Sequence, residues 1–565
     1  MQGFRMFLLL NWGGLSSTSQ STIAISARCR HVSSFARHRR CHSIPRRLDS
    51  IICRRGTVMG MMKSPPGSSS PYSTNGLGTN DGVDDDDDDD NAPATTVADA
   101  TRSPSISSRA RGTLDPCVIL MKRMINKYAD KWRTRGGIYS LAQGVVYWRP
   151  PMSAYEALSD AIGANVDTTT AMGGGEGGDG GIIHTYCPDE GYSPLLEALS
   201  IKLRKENGLI DPHVIVTSGA NQAYVNCVLT LLDEVDDAND GGVCVVFEPY
   251  YFNHVMAVQS IRGDGGLLVG PTVRGVPDLS WLRERLEENE YAGTAAASGG
   301  GGRGRNAGNA IRMVTLVNPG NPTGVSLPYA FLEEMMQLTK DYGVWLVVDN
   351  TYEHFDVEGR NRLPDGMSRP DFPCFDEEHV INIFSFSKGY AMAGFRVGYV
   401  ALSSKNGNNN NSNSNGERGR GRGRGRGTQA YEEMLKVQDT IAICTSRISQ
   451  MAALGAMRSG RSWVRERVKT LDVGRAAVLG AMSSLEDVVG GNGAMYVMGK
   501  LPDGVDDQEF TSLLVEHYGV AVIPGSFCGF TGWIRVCYSN LPADECAKAA
   551  SRLETGILEL ATSSR

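Results

Sequence analysis

From residue 113 onward the apolar positions fall into short continuous runs separated by longer periodic stretches. The runs HVIVTSG (213–219), VCVVFEP (243–249), RMVTLVNP (312–319), VWLVVDN (344–350) and VINIFSFS (380–387) are β-branched and give way to polar residues, proline or glycine. Continuous apolar runs of this length predict strands buried on both faces. ANQAYVNCVLTLLDEV (220–235) and PYAFLEEMMQLTKDYG (328–343) lie between them and predict helices. Strand–helix alternation predicts an α/β fold, a mostly parallel sheet with helices on both faces. Such sheets bind ligands beyond the carboxyl ends of their strands.

Three low-complexity tracts interrupt this pattern, at 173–181, 293–310 and 406–427. Loop closure costs grow only logarithmically with length, so all three are expected to be surface insertions. The last contains RGRGRGRG, a composition also found in RNA-binding arms; a solvated insertion is the preferred reading. Residues 56–112 are rich in Ser, Pro, Gly and Thr and hold the acidic run Asp84–Asp90, which predicts a disordered linker. Residues 1–55 lack any acid before Asp49 and carry Arg5, Arg28, Arg30, Arg37, Arg39, Arg40, Arg46 and Arg47. That composition fits a transit peptide for a mitochondrion or plastid. A start at Met59, Met61 or Met62 would instead leave the protein in the cytoplasm.

Charge and cysteine content narrow the function. A net charge of −7 over 565 residues gives no reason to expect a nucleic-acid partner. No apolar run approaches the ~20 residues that a membrane span requires. The 12 cysteines show neither C-x-x-C nor zinc spacing, so reduced structural thiols are expected and no metal site.

The strand ends carry the chemistry. Ser218, Gly219, Ala220 and Asn221 form a small-residue turn opening a helix, where free N–H groups and the helix dipole suit a phosphate. VNPGNPTG (317–324) is an irregular turn with Asn321 as its inward amide. Asp349 ends an apolar run, where a carboxylate needs a cation or N–H partner, and Tyr352 follows it. Ser385 and Lys388 reach the same edge, with Arg396 eight residues further on. A desolvated lysine shifts toward its neutral, nucleophilic form and reacts with carbonyl cofactors. Taken singly, these features read as an ordinary turn, a helix cap and a solvated lysine. Together they supply a phosphate cradle, an acid, a phenol, an amide and an amine, the set that pyridoxal phosphate requires.

On these residues the chain from about 113 to its C-terminus resembles the class I/II aminotransferases, the fold-type I pyridoxal phosphate enzymes. SFSK with its following arginine, NPGNPTG, D-x-x-Y, TYCPDEG and GWIR occur in that family's order. SLAQGVVYW, GANQAY, FEPYYFNH and FSFSKGYAMAGFRVGY are most similar to plant-type aromatic and methionine aminotransferases. The resemblance implies a large cofactor domain (156–440) with a seven-stranded-type sheet. It also implies a small α/β domain built from 113–155 and 441–565 that closes over the substrate. It implies pyridoxal 5′-phosphate as cofactor, with Lys388 as its Schiff-base lysine and proton shuttle. Asp349 would hold the pyridine nitrogen, and Tyr352 and Asn321 the ring oxygen. Gly219, Ala220, Asn221, Ser385 and Arg396 would hold the phosphate, with Tyr251 stacked on the ring. Tyr186 would reach the partner subunit's phosphate, hence a homodimer. Arg535 would clamp the substrate carboxylate, with Gly144 and Asn321 beside it. The implied reaction is a ping-pong transfer of the amino group from an aromatic or methionine-like L-amino acid to a 2-oxo acid. An aminocyclopropane-carboxylate-synthase-like enzyme or a C–S lyase would share these residues. Tyr147 and Trp148 would either line the side-chain pocket or pack against the domain interface, and no second arginine for a dicarboxylate is legible.

Overall fold

The computed structural model describes residues 105–166, 183–232, 242–298, 310–359, 370–405 and 425–563. All belong to one compact unit, Ala100–Arg565. Seven strands form the main sheet: β1 (His213–Thr217), β2 (Val243–Phe247), β3 (Leu267–Gly270), β4 (Ile311–Val317), β5 (Trp345–Asp349), β6 (Val380–Ser385) and β7 (Gly398–Leu402). Their order is β1-β7-β6-β5-β4-β2-β3, parallel except for β7, which runs antiparallel to both neighbours. The five predicted strands are all present, and the architecture is α/β as expected.

Alternate residues of the central strands enter different cores. Val347 packs with Ile381 and Ile383 on one face, whereas Leu346 and Val348 pack with Val314 and Leu316 on the other. This two-sided burial explains why the runs are apolar throughout rather than alternating. The helix Ala220–Leu231 covers the first face through Ala223, Tyr224, Cys227 and Val228.

Register then gathers the strand ends. Val317 pairs with Asp349, and Asp349 with Ile383, so β4, β5 and β6 finish at one edge. Gly398 pairs with both Ser385 and Thr217. Because β7 is antiparallel, its first residue lies at that same edge and carries Arg396 there. A Cβ at Gly398 would stand 2.7 Å from Ala220 N, so only glycine lets the helix start so close to the strand.

A second, antiparallel sheet joins β8 (Val488–Gly490), β9 (Tyr496–Lys500), β10 (Ile523–Pro524) and β11 (Trp533–Cys537) in the order β8-β9-β11-β10. Tyr139–Ser140 pairs in parallel with Val520–Ala521, which ties the N-terminal part of the described chain to the C-terminal part.

Three expected boundaries shift. The predicted linker ends in a short helix, Ser108–Gly112, whose Arg109 donates to the Ile261 carbonyl at 2.7 Å. The helix Leu279–Ser298 runs six residues into the tract at 293–310, whose Ala-rich start favours helix over loop. The helix Arg426–Ala442 begins inside the tract at 406–427. The transit-peptide reading, the acidic run and the tract 173–181 fall outside the described residues. No helix among the described residues is long and apolar enough to cross a membrane.

Candidate active site

Two adjoining cavities open at the edge where β4, β5 and β6 end. The inner one, of about 110 Å³, is lined by Ala220, Asn221, Tyr251, Asn321, Asp349, Thr351, Tyr352, Ser385, Ser387, Lys388 and Arg396. The outer one, of about 280 Å³, shares several of these and adds Gly144, Tyr496 and Arg535. Residues spread over nearly 400 positions of sequence thus meet in one place.

Lys388 follows β6 and is partly buried, its Nζ donating to the Gly144 carbonyl. Burial, reinforced by the Arg535 and Arg396 guanidinium groups, holds its amine down to about 8 from 10.5. Gly144 also lies directly under the Tyr496 hydroxyl, leaving no space for a side chain. Asp349, 3% exposed, accepts from the Thr351 amide at 3.0 Å and lies 3.2 Å from His254 Nε2. His254 stacks on Tyr224 (ring centroids 3.9 Å apart) and meets Tyr251 edge-on.

At the other end, Gly219 has φ +82° and caps the helix Ala220–Leu231. Its missing side chain makes room for Arg396, which itself adopts a left-handed backbone (φ +57°). The Arg396 guanidinium donates to the Ala393 carbonyl at 2.9 Å and the Ser218 carbonyl at 3.3 Å. The Ser385 hydroxyl accepts from the Ser387 amide at 3.1 Å. Tyr251 donates to Asn221 Oδ1 at 3.4 Å and accepts from Asn253 at 2.9 Å.

Tyr352 sits between Asn321 and Tyr496. Asn321 Nδ2 donates to its hydroxyl at 3.3 Å, and the two tyrosine oxygens are 2.7 Å apart. Burial, then the neighbouring Tyr496, pushes the Tyr352 phenol well above its ordinary value. Arg535 lies on β11, 3% exposed. It donates to Asn321 Oδ1 and to the Ala142 carbonyl, each at 2.8 Å, and stands 4.5 Å from the Tyr496 ring centroid. Its Nε has no partner, and no carboxylate pairs with it among the described residues. A buried guanidinium held only by neutral groups is a strong receptor for a carboxylate.

This donor set fits pyridoxal phosphate. The inner cavity has a helix N-terminus and Arg396 at one end, a buried acid at the other, and an amine of lowered pKa beside them. Thr351 Oγ1 is buried there without a hydrogen-bond partner.

The family model for aminotransferases of class I and II matches residues 153–553. The chain belongs to that family. It is a pyridoxal-phosphate-dependent transaminase, and its α/β architecture is that of the fold-type I enzymes. This aminotransferase is 39% identical over 460 residues to the aromatic aminotransferase ISS1 of Arabidopsis thaliana, covering 80% of this chain and 97% of that relative. It is 27% identical over 392 residues to an aspartate aminotransferase of Pyrococcus abyssi, covering 67% and 86% respectively. Among solved structures, a multiple substrate aminotransferase from Thermococcus profundus shares its fold with a TM-score of 0.62 at 18% identity, covering 81% of this chain and 98% of that one. Thermus thermophilus aspartate aminotransferase does so with a TM-score of 0.59 at 22% identity, covering 80% and 100%.

Of the residues picked out in the aminotransferase sequence, Ser218 and Gly219 adjoin Arg396 without lining a cavity, Tyr186, Tyr147 and Trp148 line neither cavity, and the others line one or both. Tyr186 is 77% exposed. For Tyr147 and Trp148 the packing alternative is the one observed. The Tyr147 hydroxyl donates to Thr470 at 2.7 Å, and Trp148 stacks on Phe355 and donates to the Gly389 carbonyl at 3.4 Å. Both pack against the core of the second sheet, where large rings fill space. Sequence reasoning missed His254, Thr351, Ser387 and Tyr496. His254 stood inside FEPYYFNH and Ser387 inside SFSK, so both were within reach. Tyr496 lies 144 residues from its partner Tyr352, with no motif to join them.

Proposed function

We propose that this aminotransferase takes aromatic and methionine-like L-amino acids as donors and passes their amino group to a 2-oxo acid. One observation carries the reading: the buried Arg535, without an acid partner among the described residues, is linked through Asn321 to Tyr352 in a cavity shared with Lys388. The 39% identity to an aromatic aminotransferase supports the donor class. So does the outer cavity, whose walls include Val118, Met121, Ile125 and Phe252.

Pyridoxal phosphate, when bound, supplies the aldehyde and the electron sink that loosen the Cα–H bond. The chain does the rest. Arg535 exchanges its carbonyl and amide partners for the substrate carboxylate and so fixes Cα beside Lys388. Lys388 Nζ, its amine held down to about 8 and so neutral more readily than an ordinary lysine, takes the Cα proton. Asp349, held by His254, would keep the proton on the ring nitrogen. Tyr352 and Asn321 would bond the ring oxygen, and Tyr251 would pack on the ring. Gly219, Ala220, Asn221, Ser385 and Arg396 would bind the phosphate. The segments 113–155 and 441–565 act as the small domain and close over the substrate, excluding water. The exposed Tyr186 serves the cofactor phosphate of a second copy, which makes the working unit a homodimer.

The visible spectrum of the cofactor-loaded enzyme tests this. Tyrosine, tryptophan or methionine, added without any oxo acid, is expected to convert the cofactor to its amine form. Turnover that leaves the cofactor in its aldehyde form would place the chemistry with the lyases and cyclopropane-forming enzymes instead.

A further inference from the structure

The outer cavity has a wall that no strand end supplies. The helix Cys117–Trp132 turns Val118, Met121, Lys122 and Ile125 toward it, a spacing that puts all four on one helix face. The helix is anchored just before its start and along its last turns. The Leu114 amide bonds Gln259 at 3.1 Å, the Tyr128 hydroxyl lies 3.3 Å from that of Ser512, and Trp132 Nε1 donates to the Glu516 carbonyl at 3.2 Å.

Charge in this cavity is one-sided. Its lining includes four cations, Lys122, Lys388, Arg396 and Arg535, and neither Asp nor Glu. The cofactor aldehyde, its phosphate and the substrate α-carboxylate account for Lys388, Arg396 and Arg535. Lys122 is left over. It is exposed and makes no hydrogen bond or ion pair among the described residues. Around it Val118, Met121 and Ile125 offer an apolar surface. A second carboxylate pressed against that surface would lose hydration without compensation unless a cation met it. Lys122 carries that cation on a flexible apolar stem, able to lie along the helix or to reach out.

We infer that Lys122 is the specificity residue for a second carboxylate. A dicarboxylic 2-oxo acid, or its amino acid, seats its α-carboxylate on Arg535 and its distal carboxylate on Lys122. An aromatic or methionine-like donor packs on Val118, Met121 and Ile125 while the lysine stem lies aside. Both half-reactions use the same cavity in turn, so one helix face serves both. The inference rests on the proposed function and names the residue that widens its substrate range.

Equilibrium binding of two unreactive ligands tests it, read from the cofactor absorbance of the loaded enzyme. Maleate probes two carboxylates and 3-phenylpropionate probes one carboxylate with a ring. Within each protein the ratio of the two dissociation constants is taken. In Lys122→Met the ratio is expected to move against maleate by about 10-fold or more, as loss of a charged hydrogen bond requires. In Lys122→Arg it stays within about threefold of wild type, and 1 M salt shrinks the wild-type preference. An unchanged ratio in Lys122→Met, or a wild-type enzyme that does not bind maleate, overturns the inference. Conversion of the cofactor by tyrosine or methionine is scored separately. If neither converts it, the proposed function fails, whatever the ratio.

Discussion

Asn321 Oδ1 accepts a hydrogen bond from Arg535 Nη1 at 2.8 Å, joining the turn after β4 to the middle of β11. The cation fixes which way the amide faces, because only the oxygen accepts and the nitrogen is left to donate to Tyr352. The proposed carboxylate receptor and the phenol beside the proposed cofactor cavity are therefore set by one side chain.

Asn321→Asp should turn that neutral contact into an ion pair and leave Arg535 occupied. A charged hydrogen bond is worth ~1.5–3 kcal/mol, so KM for a donor amino acid is expected to rise about 10–100-fold. Steady-state kinetics with tyrosine would show this. An unaltered KM would mean that Arg535 does not meet the substrate carboxylate.

Arg535→Lys keeps the charge but loses the planar fork that reaches Asn321 and Ala142 together. We expect kcat/KM to fall about 100-fold, equivalent to about 2.7 kcal/mol of transition-state binding. The test is kcat/KM for methionine in both proteins.

The Lys388 amine is held down to about 8, so the unfolded chain binds the extra proton between about pH 8 and 10.5. Stability of the cofactor-free protein should consequently rise with pH across that window, relative to Lys388→Met. Below about pH 8 both states carry the proton and the slope vanishes. Thermal unfolding of both proteins over this range decides it. Lys388→Ala should also lose at least the ~10²–10⁴-fold that a positioned base supplies, together with borohydride-stable attachment of pyridoxal phosphate.

Tyr496→Phe deletes the hydroxyl 2.7 Å from Tyr352 but keeps the ring 4.5 Å from the Arg535 guanidinium. A loss of about 1–2 kcal/mol in urea unfolding is expected, from one buried hydrogen bond. Combined with Tyr352→Phe, the losses should fall short of additive, since both changes remove the same bond.

The sheet was legible because strands buried on both faces are apolar along most of their length, as β1, β2, β4, β5 and β6 are, with few polar interruptions such as Arg312 and Asn382. β3 is only four residues long, with three of them half-buried, and it left no such run. The cofactor cavity was legible through contiguous motifs: Gly219–Asn221, Asp349–Tyr352 and Ser385–Arg396 each place their residues by local geometry. What stayed hidden depends on distant packing. Tyr496 and Lys122 come to line the outer cavity only when β9 and the helix Cys117–Trp132 fold onto the strand ends. For Tyr147 and Trp148 the sequence left pocket and packing open, because adjacency to Gly144 says nothing about which way a ring turns.

The bond from Arg535 to the Ala142 carbonyl spans 393 residues. At ribosomal speeds of ~5–20 residues per second, roughly 20–80 s separate the synthesis of its two ends. The main sheet, contained within 213–402, is out long before then. A nascent chain thus completes the strand ends and Lys388, the proposed cofactor edge, while Arg535, the proposed carboxylate receptor, does not yet exist. On that reading a product truncated before β11 would lack the means of holding an amino acid.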